Sequence, residues 1–85
     1  MSNKKTFPEL RAIMAKYGFT MQQMGGIIGN TYQTFSKKLD EESEFSFSDM
    51  VKIKDYFKGI GEDVTIDKIF FDWKFTIVNT QMDRR

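Results

Sequence analysis

Histidine and cysteine are both absent from the 85 residues, which removes most of the chemistry a small chain could perform. Without imidazole or thiol there is no conventional zinc set, no thiolate nucleophile and no side chain titrating near neutral pH for proton transfer. Carboxylates, lysines, serines and tyrosines remain, but at no recognisable catalytic spacing. The sequence therefore predicts a protein that is not an enzyme, with no cofactor, no metal and no small-molecule substrate. What these residue types can still do is hydrogen-bond and attract anions. Such groups are dense in residues 31–38, TYQTFSKK, where hydroxyls, an amide and two ammonium groups surround a single apolar Phe35.

The elements that must position this run are legible around it. Thr20 and Gln23 are spaced as a capping box, each side chain able to satisfy an orphan backbone donor at a helix start. Met24 and Ile28 fall four apart on one face, and Gly29 sits where a helix end favours a residue tolerant of positive φ. Thr31 can cap a second helix from Tyr32, with Phe35 and Leu39 turned inward. A short helix, a glycine turn and a second capped helix with polar residues in its first turn make a helix-turn-helix. In such a unit the second helix can enter the DNA major groove with its N-terminal side chains leading.

Phe19, Thr20, Met24, Gly25, Ile28, Gly29, Thr31, Thr34, Phe35, Ser36, Lys38 and Leu39 match the pattern of a known family. The stretch resembles the lambda-repressor-like (Xre-type) helix-turn-helix regulators, and within them small phage Cro- or repressor-like proteins. The resemblance continues through EFSFSDMVKIKDYF to DKIFF, about residues 7–71. It implies that Tyr32, Gln33, Ser36 and Lys37 project from the exposed side of the second helix. Gln33 would pair with adenine, Lys37 would reach guanine or a phosphate, and Tyr32 would touch sugar or a thymine methyl. Gln22, Thr31 and Thr34 would hold phosphates, and Lys38 joins the DNA-binding set. Three positions depart from the pattern. Met21 stands where a glutamine commonly grips a phosphate, and Asn30 replaces an aliphatic turn residue. Asp40, Glu41, Glu42 and Glu44 follow the second helix directly, where carboxylates near a duplex would be repelled.

Composition sets the outer bounds. A chain of 85 residues makes one small domain. Forty per cent hydrophobic residues and nine phenylalanines support a packed core and argue against disorder. No apolar run approaches the roughly 18 residues of a membrane span, the N-terminus lacks a signal-peptide core, and the missing cysteines fit a cytoplasmic protein. The net charge of +1 hides an asymmetry, because residues 1–39 carry +5 and residues 40–85 carry −4. The basic half holds the helix-turn-helix, as phosphate attraction requires, although ordinary solvated lysines would give the same count.

Elsewhere, Thr6 and Glu9 predict a capping box for a first helix, with Pro8 in its first turn. Leu10, Ile13, Met14 and Tyr17 form its apolar stripe, and Gly18 ends it. Ser46 and Asp49 predict a fourth helix to about Lys58, burying Phe47, Met50, Ile53 and Phe57. Gly59 and Gly61 break it. Thr65 is placed to cap a short fifth helix with Ile66, Ile69 and Phe70. Trp73, Phe75 and Ile77 then alternate with polar or smaller residues at the period of a strand. Such a strand could pair with its copy in a homodimer; the alternative is an extended tail, with Trp73 covering core surface.

The expected fold is all-α: a five-helix lambda-repressor-like domain over residues 1–71, then a C-terminal extension, 72–85, as strand or tail. The expected function is that of a phage-type transcriptional regulator binding double-stranded DNA at an operator, as a dimer. The alternative is a protein-interaction module, an antirepressor or repressor modulator, that binds a partner repressor. An antitoxin-like regulator also fits the fold, but no toxin-binding tail is evident.

Overall fold

In the computed structural model of the chain, residues 6–73 are described. Four α-helices follow one another: α1 (Pro8–Tyr17), α2 (Met21–Ile27), α3 (Tyr32–Leu39) and α4 (Phe47–Gly59). A π-helical turn, Asp67–Phe71, comes last. The described residues contain no strand, and none of their helices is long and apolar enough to cross a membrane.

The starts of the middle helices follow their local sequence. Thr20 Oγ1 accepts from the Gln23 N–H at 3.1 Å, and Gln23 Oε1 accepts from the Thr20 N–H at 2.8 Å. Ser46 and Asp49 make the same reciprocal pair, at 3.0 and 3.1 Å. Each satisfies two backbone donors that the helix leaves orphaned.

All four helices close in the same way. An N–H just past the helix reaches back to the carbonyl five residues before it, and the residue preceding that N–H is left-handed. Gly18, Gly29 and Gly61 hold that left-handed position after α1, α2 and α4, with φ of 72°, 75° and 103°. After α3 the position belongs to Glu41, φ 63°. There Glu42 N–H reaches Lys37 O at 2.8 Å and Glu41 N–H reaches Lys38 O at 3.1 Å.

The core joins every element. Leu10, Met24, Phe35, Leu39, Ile53, Phe57 and Ile69 are fully buried. Phe45, from the α3–α4 loop, meets Phe7, Phe35 and Phe70 edge-on, with ring centroids 5.3, 5.7 and 5.1 Å away. Such edge-to-face geometry is favourable for the ring quadrupoles.

Four expectations are corrected by this packing. Thr6 does not cap α1. The helix starts from Phe7 in a left-handed conformation, φ 49°, with no side-chain cap, and this sets the Phe7 ring among Phe45, Phe70 and Trp73. Thr6 instead donates its hydroxyl to Leu39 O at 2.6 Å and accepts from Arg11 Nη2 at 2.9 Å. Tyr17 leaves the buried stripe to donate to Glu62 Oε2 at 2.6 Å, beside the Lys16–Glu62 ion pair. Phe47 is 71% exposed, because Phe45 already fills the core at the entry to α4. The fifth element carries the expected Thr65 cap, Lys68 N–H to Thr65 Oγ1 at 3.1 Å, but it is wound as a π-turn. Its wider coil allows the consecutive residues Ile69 and Phe70 both to be buried.

The C-terminal strand is not present at its first residue. Residues 72 and 73 continue the helical winding, and the Trp73 ring packs on Phe7 at 5.2 Å. Trp73 therefore serves the chain's own core, as in the alternative to the dimer strand. Phe75 and Ile77 lie outside the described residues.

Candidate functional site

The exposed polar residues of α2 and α3 gather because the two helices approach each other closely. The contact runs over Gly25. A Cβ built there would lie 2.7 Å from both the carbonyl carbon and the oxygen of Thr31, so only a residue without a side chain admits the start of α3 at that place. Gly29 turns the chain between them, and Asn30 N–H closes the turn on Gly25 O at 2.8 Å.

Thr31 begins α3. Its Oγ1 accepts from the Thr34 N–H at 3.2 Å, and its hydroxyl donates to Thr34 Oγ1 at 3.1 Å. Both threonines are thus engaged in building the helix start. They retain lone pairs and backbone groups at its edge.

Gln22, Thr31, Tyr32 and Gln33 line one shallow cleft of about 510 Å³ with Gly26 and Asn30. Tyr32 is 54% exposed, and Gln22, Gln33 and Lys37 are exposed as well. Lys37 follows Gln33 by four residues, so the two share a helix face. Ser36 bears the same relation to Tyr32 and is half-buried. Gly26 and Asn30 were not singled out for this cleft from sequence. Their signal was only their place beside the turn.

Lys38 is engaged elsewhere: its side chain is only 14% exposed, and its ammonium binds Asp49 Oδ2 at the start of α4. Burial pushes the Asp49 carboxyl up, but the Lys38 ammonium and the Ser46 N–H outweigh it and hold the group below its ordinary value. The pair fastens α3 to α4 rather than offering charge to a ligand.

The same holds for two other bases of the N-terminal half. Arg11 binds Asp40 at 3.0 Å and also donates from Nε to Thr6 O at 2.6 Å. Lys16 binds Glu62 at 2.7 Å, and hydrogen bonding to Lys16 and Tyr17 lowers the Glu62 carboxyl. Three of the six bases in residues 1–39 are therefore paired with carboxylates of the second half. Lys37 stands on the exposed face of α3 itself. The arrangement offers amides, hydroxyls, an aromatic ring and one ammonium on a convex helix face. Such groups can hydrogen-bond to polar edges. Among the described residues no group of His, Cys, Asp and Glu is placed to hold a metal ion.

Compared with known proteins, the chain matches no protein-family model, no curated protein and no solved structure.

Proposed function

We propose that the chain is a small transcriptional regulator whose α2–turn–α3 unit is a helix-turn-helix of the lambda-repressor-like kind. In this reading α3 enters the major groove of operator DNA, and a dimer reads two half-sites. The observation that carries it is the glycine-only contact at Gly25, which presses the start of α3 against α2 and leaves Tyr32, Gln33 and Lys37 outward. Gln33 would read adenine and Lys37 guanine or phosphate, while Gln22, Thr31 and Thr34 would hold the backbone.

The test is a binding selection from randomised duplex DNA with the full chain. An enriched inverted repeat with half-sites about one helical turn apart supports the dimeric reader. The double variant Gln33→Ala, Lys37→Ala should then lose site preference by about 10–100-fold at unchanged helical content, since each base contact carries about 1–3 kcal/mol of discrimination. Unchanged preference would overturn the assignment of the reading face.

One observation favours a second reading, that of a modulator binding another regulator. Arg11, Lys16 and Lys38 are all paired within the chain, and glutamates follow α3. A folded chain that enriches no DNA sequence but binds a repressor tightly would establish this alternative.

A further inference from the structure

A groove floored by aromatic rings lies beyond the C-terminal end of α3, at the opposite end of that helix from Tyr32 and Gln33. It encloses about 430 Å³ and is lined by Phe7, Phe45, Met50, Phe70 and Phe71, with Glu41, Ser43 and Glu44 at its rim. No residue lining it is shared with the α2–α3 cleft. Phe71 stands 38% exposed at its edge, so apolar surface remains available to an incoming side chain. The volume admits a few side chains, not a helix packed along its length.

Three departures from ordinary backbone geometry converge on this groove. Phe7 and Glu41 are the two non-glycine residues with positive φ in the described chain, and both line it. Phe70 and Phe71 come from the π-turn, a winding found often at functional sites. Glu41 is the more telling case. It occupies the turn position that glycine fills after the other three helices, and a side chain there is disfavoured by contact with the backbone. Stability alone would place glycine at 41; a carboxylate stands there at the mouth of an apolar groove.

The chemistry at the rim selects the occupant. The carboxylate of Glu44 repels a nucleic-acid backbone and favours a cation, while the phenyl floor favours apolar side chains and accepts a cation over a ring face. We infer that this groove is a docking site for a partner protein, taking a short segment in which Lys or Arg lies beside Phe, Leu, Ile or Met. The partner's cation sits at Glu44 and its apolar side chain enters among Phe45, Met50 and Phe71. The inference is independent of DNA binding by α3 and would hold if that reading failed.

A peptide-display selection against the full chain tests it, run beside the Glu44→Lys variant and with each enriched sequence then synthesised and measured by fluorescence polarisation. Enriched peptides should pair a basic residue with a large apolar one. They should bind Glu44→Lys about tenfold or more weakly, with circular dichroism and melting of that variant unchanged. Phe71→Ala, which alters no charge, should weaken them too. The Gln33→Ala, Lys37→Ala variant should bind them as the wild type does, which separates this site from the α3 face. Failure to enrich such peptides would overturn the inference, as would equal binding to Glu44→Lys or displacement by duplex DNA. Self-association of the full chain in sedimentation, abolished by Glu44→Lys, would assign the groove to a second copy and would equally overturn the partner assignment.

Discussion

Lys38 and Asp49 form the ion pair most withdrawn from water among the described residues, with side chains 14% and 9% exposed. Removing one partner of such a pair leaves the other without compensation, and Asp49→Asn should cost about 2–3 kcal/mol near neutral pH. The Asp49 carboxyl titrates below its ordinary value of 3.8 when folded. Its stabilisation is therefore complete above that value and is lost as pH falls through the lower, folded value. Urea midpoints of the wild type and Asp49→Asn should differ clearly at pH 7 and converge as pH drops below about 4. A gap that persists in strong acid would mean the carboxyl is not what the pair contributes. The Ser46–Asp49 cap was legible because it is local. The second use of Asp49 was not, since it depends on how α3 crosses α4, and sequence alone left Lys38 among the DNA-binding residues.

At the scale of elements, α2 carries two adjacent glycines with opposite roles. A methyl at Gly25 meets the Thr31 backbone, whereas one at Gly26 meets nothing within 4 Å. Gly25→Ala should destabilise by about 1–3 kcal/mol through overpacking. Gly26→Ala should stabilise by roughly 0.5–1 kcal/mol by restricting the unfolded chain. Thermal melts of the two variants check both signs. Helix starts at Thr20, Thr31 and Ser46 and the ends at Gly18 and Gly29 could be read from sequence, because each is decided within a few residues. Thr6, Phe47 and the π-turn could not. Phe7 needed the Phe45–Phe70 pocket, Phe47 was displaced by Phe45, and the fifth element rewound to bury Ile69 beside Phe70. Trp73 was read as the start of a strand for the same reason: its alternation with Phe75 is a local signal, and the ring it packs on is 66 residues earlier.

For the whole molecule, the uneven charge of the two halves is mostly a device of folding. Arg11, Lys16 and Lys38 each bind a carboxylate from beyond residue 39, so the basic half and the acidic half attract each other. Among the described residues, Lys37, Lys52, Lys58 and Lys68 lie outside such ion pairs. If a dimer of the chain binds DNA, the logarithm of affinity should fall with the logarithm of salt at a slope of about −4 per subunit, corresponding to roughly four neutralised phosphates each. A slope far steeper than about −8 for the dimer in a salt titration would require cations that the described surface does not display. The Phe7 ring also bears on how the chain is made. It belongs to the first turn of the fold, yet the rings it leans on, Phe70 and Trp73, are among the last of the described residues to be synthesised. On the ribosome α2 and α3 can meet as soon as both have emerged, through contacts close in sequence, but the pocket for Phe7 has no far wall until Trp73 is out of the exit tunnel. Phe45 can cover one side of the Phe7 ring earlier, but the walls supplied by Phe70 and Trp73 close only once those residues are in place.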